Sequence, residues 1–124
     1  MSVTTAEVAE IIRGVSTRVI DPGFRRLSPD QIHEKAPGDL VTDLDRQAEG
    51  ELSRLLTSAG GGIVVGEESV HDDASVLQEL PTAELAWVID PIDGTKNYVN
   101  GSTHHAVMVA EVQHGVTTRS WICL

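Results

Sequence analysis

The sequence predicts an α+β domain built from packed layers of helices and strands. Two observations carry this prediction. The first half contains two segments with apolar residues at helical spacing, and the second half contains short β-branched runs of strand length. The chain has 124 residues, 40% of them hydrophobic and 23% charged, which suits one globular domain over residues 1–124.

The two helical segments carry recognisable start and stop signals. Thr4 and Glu7 have the spacing of a capping box, and the apolar periodicity that follows predicts a helix over residues 5–20. We expect it to end before Asp21–Gly23, because proline and glycine there break helices. A second helix is predicted over residues 43–58, ended by a run of three glycines.

The remaining segments are shorter. Residues 24–38 carry mixed charges and two prolines, and we expect a loop or a poorly paired extended stretch. Residues 70–84 are acidic without a clean period, and we expect part of them to be helical. The predicted strands cover residues 39–42, 63–66, 85–89, 105–112 and 116–124.

Charge and cysteine content restrict the partners and the compartment. The formal net charge of -10 argues against binding a nucleic-acid polymer, which requires a basic surface. Cys123 is the sole cysteine, so an internal disulfide is excluded and a reducing compartment is favoured. The sequence has neither a signal-peptide pattern nor an apolar run of membrane-spanning length. We therefore expect a cytoplasmic protein without a membrane partner.

The segment Asp90-Pro91-Ile92-Asp93-Gly94-Thr95 follows the apolar run 85–89 and places two carboxylates at the end of a strand. Glu67 follows the strand predicted before it. Ligands collect at the carboxyl ends of strands in open sheets, and oxygen ligands suit magnesium. Because proline restricts the backbone, the carbonyl of Ile92 is a further candidate ligand. The candidate metal ligands are Glu67, Asp90, Ile92 and Asp93.

Gly94 and Thr95 add a possible phosphate cradle, because backbone N–H groups after a glycine at a helix start attract anions. The Thr95 hydroxyl could hold a water molecule, and Asp45 could act as a base or orient that water. Lys35 could approach a phosphate, although a surface lysine is the default interpretation. Together these residues suggest metal-assisted hydrolysis of a phosphate ester.

Simpler interpretations exist for each feature. Asp-Pro and Asp-Gly are common turn dipeptides, and acids at residues 43 and 45 favour the start of a helix. An EF-hand is excluded because its further acids, glycine and closing glutamate are missing. His104 and His105 are adjacent and would point to opposite faces of a strand, and Ser69 has no evident base.

Three blocks of this sequence, residues 35–45, 65–69 and 87–98, resemble the inositol monophosphatase family and occur in its order. The third block is the most specific. The resemblance implies the layered αβαβα sugar-phosphatase fold shared with fructose-bisphosphatases. It also implies a magnesium-dependent, lithium-sensitive phosphatase, usually a homodimer, acting on a small phosphorylated metabolite.

The resemblance also implies roles for individual residues. Glu67, Asp90 and the Ile92 carbonyl would bind a first Mg²⁺ ion, and Asp90 and Asp93 would bind a second. Asp45 and Thr95 would activate the attacking water. The amides of Gly94 and Thr95 would bind the substrate phosphate.

Two departures from the family pattern stand out. Tyr98 replaces the commoner phenylalanine. The family's later Trp-Asp-x-Ala-type segment, whose aspartate completes the second metal site, is missing, so we expect an N-terminal αβ part of the fold. Inositol monophosphate is the expected substrate. The alternatives are histidinol phosphate, fructose 1,6-bisphosphate, a 3',5'-bisphosphonucleotide, or a non-catalytic fragment that only binds metal.

Overall fold

The computed structural model describes residues 3–124, which begin with one long helical segment. Helix α1 (Thr5–Val15) is capped by Thr4 and Glu7 as predicted, and it continues into a π-helical turn (Ser16–Ile20) and a last turn, α2 (Asp21–Gly23). The predicted stop before Asp21–Gly23 is therefore wrong by one turn. Pro22 has no N–H to donate, and it follows the π turn, where the regular hydrogen-bond ladder is already interrupted.

A β-hairpin follows, where the sequence predicted mostly loop. A 3₁₀ turn (Pro29–Gln31) leads into strand β1 (Ile32–Ala36), which pairs antiparallel with β2 (Asp39–Thr42). The expectation for residues 24–38 is thus wrong for β1. Three of its five residues are exposed and burial does not alternate along the strand, so the sequence pattern that identifies a strand is missing.

Helix α3 (Asp43–Gly60) begins at the predicted residue and runs two residues past the predicted end. Thr42 caps it, and Gly61 ends it with a φ of 75°. Its buried face combines apolar and acidic side chains: Asp45, Ala48, Glu49, Leu52 and Leu56.

A four-stranded sheet forms the second layer, in the order β3-β4-β5-β6. Its strands are β3 (Ile63–Gly66), β4 (Ala86–Asp93), β5 (Ala106–Gln113) and β6 (Val116–Cys123). β3 and β4 are parallel, and the other neighbours are antiparallel. Helix α4 (Glu67–Asp72) and a 3₁₀ helix (Ala74–Glu79) connect β3 to β4, and α5 (Thr95–Val99) lies between β4 and β5.

Strand β4 extends further than predicted. It continues through Pro91 to Asp93 instead of ending at Asp90, with an irregular register between the two aspartates. Proline cannot donate a ladder hydrogen bond, which explains why the pairing is interrupted there.

The core lies between the sheet and helices α1 and α3, which confirms the layered α+β prediction. Trp87 is fully buried, and its indole N–H donates to the carbonyl of Gly61 at 2.9 Å. Among the described residues, no helix is both long and apolar enough to cross a bilayer. The sheet contributes Trp87, Ile89, Val107 and Val109 to this core, and the helices contribute Val8, Ile12, Val15, Leu52 and Leu56.

Candidate functional site

The parallel pairing of β3 with β4 brings two predicted ligands together. Gly66 lies opposite Ile89, so Glu67 and Asp90 follow at neighbouring positions of the same sheet edge. A cleft of about 230 Å³ opens there. Its lining includes Glu67, Asp90, Ile92, Asp93, Gly94 and Thr95, and therefore most of the residues that the sequence predicted.

A larger cavity, about 700 Å³, lies at the other end of β3 between Gly62 and His114. Volume alone does not identify a functional site. The smaller cleft holds convergent carboxylates with shifted pKa values, and that combination is typical of functional sites.

Asp90 has the most perturbed carboxyl group of the cleft. Burial, hydrogen bonding with Glu67 and repulsion by the carboxylates of Glu67 and Asp93 together raise the pKa of Asp90 to about 8. Burial also raises the pKa of Glu67, but hydrogen bonding from Asp90 and the ammonium of Lys35 outweigh this and lower it overall. Of these two neighbouring carboxyl groups, Asp90 is therefore the one that favours its protonated form.

The donor chemistry of this edge fits a hard divalent cation. The Oδ1 atom of Asp90 is buried and has no hydrogen-bond partner in the described part of the chain, so a cation would satisfy it. In residues 3–124, however, no three His, Cys, Asp or Glu side chains are grouped closely enough to hold an ion. Glu67 and Asp93 are exposed, so their side chains are free to adopt other rotamers beside Asp90.

Asp45 and Thr95 meet although they are far apart in the chain. The Thr95 hydroxyl lies 2.9 Å from Oδ1 of Asp45 and 2.9 Å from the carbonyl oxygen of Ile92. The N–H and hydroxyl of Thr42 both donate to Oδ2 of Asp45, at 2.7 and 2.6 Å. Burial raises the pKa of Asp45, and the hydrogen bonds from Thr42 and Thr95 partly offset that rise.

Lys35 lies deeper than a surface lysine. Its side chain is only 5% exposed, and its ammonium contacts Oε1 of Glu67 at 3.1 Å and Oε1 of Glu68 at 3.4 Å. Burial opposes the charged form, but the two glutamates outweigh it and raise the pKa of Lys35. The default surface interpretation is therefore wrong: Lys35 is an ion-pair partner of a candidate metal ligand.

Gly94 forms the predicted helix start in the cleft. It is the N-cap of α5 and has a φ of 84°, which favours glycine. A Cβ atom at this position would lie 2.8 Å from the carbonyl oxygen of His104, so close backbone packing also excludes a side chain.

Two buried glutamates, Glu49 and Glu68, were not among the predicted site residues. Burial raises the pKa of both carboxyl groups, and Lys35 partly offsets the rise at Glu68. Oε2 of Glu68 has no hydrogen-bond partner in the described residues. Glu49 accepts two backbone N–H groups from the start of α4. The position of Glu49 on the otherwise apolar face of α3, one turn after Asp45, was the feature of the sequence that could have indicated a buried role.

Comparison with known proteins is consistent with this fold. The sequence profile of the inositol monophosphatase family matches residues 2–123. The "Fructose-1,6-bisphosphatase/inositol-1-monophosphatase" of Aquifex aeolicus is 33% identical over 108 residues, which cover 86% of this chain and 38% of that protein. The "Inositol-1-monophosphatase ImpA" of Mycolicibacterium smegmatis is 32% identical over 124 residues, which cover 98% of this chain and 41% of that protein.

The solved structure of the Thermotoga maritima IMPase superposes with a TM-score of 0.73 at 23% identity. The superposition covers 91% of this chain and 41% of that chain, and it supports the sugar-phosphatase fold. The chain spans about two fifths of the length of these relatives.

Proposed function

Because the chain belongs to the inositol monophosphatase family, we propose that it contributes to a magnesium-dependent phosphatase for small phosphate monoesters. Inositol monophosphate is the first candidate substrate. One observation carries the proposal: Glu67, Asp90 and the Asp45–Thr95 pair all lie at one sheet edge.

Four groups are proposed to hold the metal. Glu67, Asp90 and the carbonyl of Ile92 would bind a first Mg²⁺ ion, and Asp90 with Asp93 a second. Bound Mg²⁺ neutralises phosphate charge and lowers the pKa of a coordinated water. A nearby cation favours the charged carboxylate, so the proton that Asp90 holds would leave on metal binding.

Asp45 and Thr95 are proposed to orient the attacking water and accept its proton. The Thr95 hydroxyl can donate to Oδ1 of Asp45 and keep its lone pairs free to accept from water. The raised pKa of Asp45 makes this carboxylate a better base than a solvated one.

The phosphate is proposed to meet the backbone amides of Gly94 and Thr95. Lys35 remains a proposed phosphate contact, but its ammonium now pairs with Glu67 and Glu68. To reach a phosphate it would have to leave these carboxylates. We expect Lys35 to act mainly on the charge of Glu67.

Fructose 1,6-bisphosphate is the second candidate substrate, because the Aquifex aeolicus relative is named for both activities. A homodimer and a cytoplasmic location are further proposals, as is inhibition by lithium. The competing hypothesis from another class is a fragment that binds metal without turnover.

Phosphate release from inositol 1-phosphate, fructose 1,6-bisphosphate, histidinol phosphate and a 3',5'-bisphosphonucleotide tests the proposal. We expect Mg²⁺-dependent release that lithium inhibits and that Asp93→Asn abolishes. Mg²⁺ binding without release from any ester would favour the metal-binding fragment. If the chain neither binds Mg²⁺ nor releases phosphate, both hypotheses are contradicted.

A further inference from the structure

We infer that Glu49 is a positioning residue that orients Glu67 through the first turn of α4. The inference rests on the proposed role of Glu67 as a metal ligand and extends it to a residue outside the ligand set. Glu49 lies on α3, and its side chain is directed at the junction between β3 and α4.

Both oxygens of Glu49 are used at this junction. Oε1 accepts the N–H of Glu68 at 2.8 Å, and Oε2 accepts the N–H of Ser69 at 3.0 Å. Glu49 is only 7% exposed, so these charge-assisted hydrogen bonds are shielded from water. They hold two of the amides that the first turn of a helix leaves without partners.

The N-cap residue of α4 cannot supply this cap itself. It is Gly66, which has no side chain, and a Cβ atom there would lie 2.3 Å from Cδ of Glu49. Gly66 has ordinary extended dihedrals, φ -109° and ψ 158°, so its backbone angles do not require glycine. The space that a local cap would occupy is taken by Glu49.

This arrangement fixes the backbone on both sides of Glu67. Before it, Gly66 is held by its pairing with Ile89 in β4. After it, Glu49 holds the N–H groups of Glu68 and Ser69. The backbone of Glu67 is thereby held beside Asp90, and loss of Glu49 would release the constraint that follows Glu67.

A cycle of three variants tests the inference: Glu49→Ala, Gly66→Ser and the double variant. Glu49→Ala removes the cap, and we expect the Kd for Mg²⁺ to rise about 10- to 100-fold, the usual effect of losing a residue that supports a metal ligand. Gly66→Ser alone should also weaken binding, because its side chain collides with Glu49. In the double variant the serine can cap the same amides, so affinity should return to within about threefold of wild type.

Titration calorimetry with Mg²⁺ alone provides the Kd, measured where every variant is folded. Hydrogen exchange at the amides of Glu68 and Ser69 provides a second readout that does not depend on metal. We expect faster exchange in Glu49→Ala and slower exchange again in the double variant. If Glu49→Ala fails to fold, Glu49→Gln carries the test, because it keeps one acceptor and should weaken binding to a smaller extent.

The matched control is Glu111→Ala, which removes another buried glutamate, bound to Arg119 and Thr118. It should lower the melting temperature and leave the Kd for Mg²⁺ unchanged. A Kd within twofold of wild type in both Glu49→Ala and Glu49→Gln would overturn the inference and leave the proposed function standing. A wild-type chain that binds no Mg²⁺ would overturn the metal-ligand proposal, and this inference with it.

Discussion

The hydroxyl of Thr95 lies at the same distance, 2.9 Å, from two acceptors: Oδ1 of Asp45 and the carbonyl oxygen of Ile92. A hydroxyl has one proton and can donate fully to only one of them. When Asp45 is ionised it is the stronger acceptor. When Asp45 is protonated it can donate to Thr95, whose own proton then turns to Ile92. The protonation of Asp45 thus determines which of the two acceptors receives the proton of Thr95.

Replacing Thr95 with valine is expected to lower Mg²⁺-dependent phosphate release at least about 100-fold, the lower range for losing acid–base assistance. It also leaves Oδ1 of the buried Asp45 without its donor, which should cost about 1–3 kcal/mol of unfolding free energy. Thr95→Ser keeps the hydroxyl and should retain most of the activity. Phosphate release and urea unfolding measure the two effects, and near-normal turnover in Thr95→Val would contradict the role proposed for this hydroxyl.

Asp90 should make the metal-free protein less stable as pH rises. Its pKa is raised from 3.8 to about 8, so its contribution to stability is complete below 3.8 and is lost as pH rises toward 8. Asp90→Asn cannot ionise, and we expect it to melt a few degrees higher than wild type at about pH 8, with the difference vanishing near pH 4. Thermal melts across this range measure the difference.

Magnesium should change this pH profile strongly in wild type and weakly in Asp90→Asn. In wild type the cation stabilises ionised Asp90, so saturating Mg²⁺ should flatten the decline with pH. Asp90→Asn has lost a ligand and should respond weakly. Parallel melting curves for the two proteins, with and without Mg²⁺, would show that Asp90 neither carries the raised pKa nor binds the ion.

Lys35→Met removes the ammonium that pairs with Glu67 and Glu68 while keeping much of the side chain's volume. We expect the unfolding free energy at pH 7 to fall by about 3 kcal/mol, because Glu68, whose side chain is only 4% exposed, loses its buried cation, whereas the Glu67 side chain is 40% exposed and can be hydrated. Mg²⁺ should raise the melting temperature more in this variant than in wild type, since the added cation replaces the lost positive charge.

The control for this experiment is Arg54→Met, which removes an exposed positive charge on α3 that does not line the cleft. It should change the unfolding free energy by less than about 0.5 kcal/mol, as surface substitutions usually do. Thermal melts with and without Mg²⁺ measure both variants. A smaller Mg²⁺ response in Lys35→Met than in wild type would indicate that Lys35 supports the metal site instead of competing with the ion.

Gly94→Ala should disturb the proposed phosphate cradle more than glycine replacement elsewhere. The positive φ alone should cost about 1–2 kcal/mol, and the new Cβ would also meet the carbonyl oxygen of His104 at 2.8 Å. Gly38→Ala is the control, because Gly38 also has a positive φ, 78°, and nothing lies within 4 Å of its Cβ position. We expect a larger loss of unfolding free energy for Gly94→Ala in urea titrations, and equal losses would exclude the backbone clash.

Local patterns in the sequence predicted the regular elements that have one buried face. The capping box of Thr4 and Glu7, the period of α3 and the β-branched run of β3 correspond to elements at or near the predicted residues. Strand β1 was missed because burial does not alternate along it, and nothing local in the sequence marks such a strand. The extra turn after Ile20 was missed because a π turn leaves no recognisable pattern in the sequence.

The acidic site can likewise be separated into features that the local sequence determines and features that depend on packing. The sequence by itself determined which carboxylates and hydroxyls are present and that they follow strand ends, because turn chemistry and strand length are local properties. It also determined the family, through the order of its three motif blocks.

Only the tertiary structure decided how these groups meet. The parallel pairing of Gly66 with Ile89 sets Glu67 beside Asp90, the hairpin brings Lys35 to Glu67, and α3 delivers Glu49 to the start of α4. Each of these contacts joins segments that are distant in the chain and depends on how the elements pack. The pKa values of the buried carboxyl groups depend on the same packing, because desolvation and neighbouring charges exist only in the folded molecule.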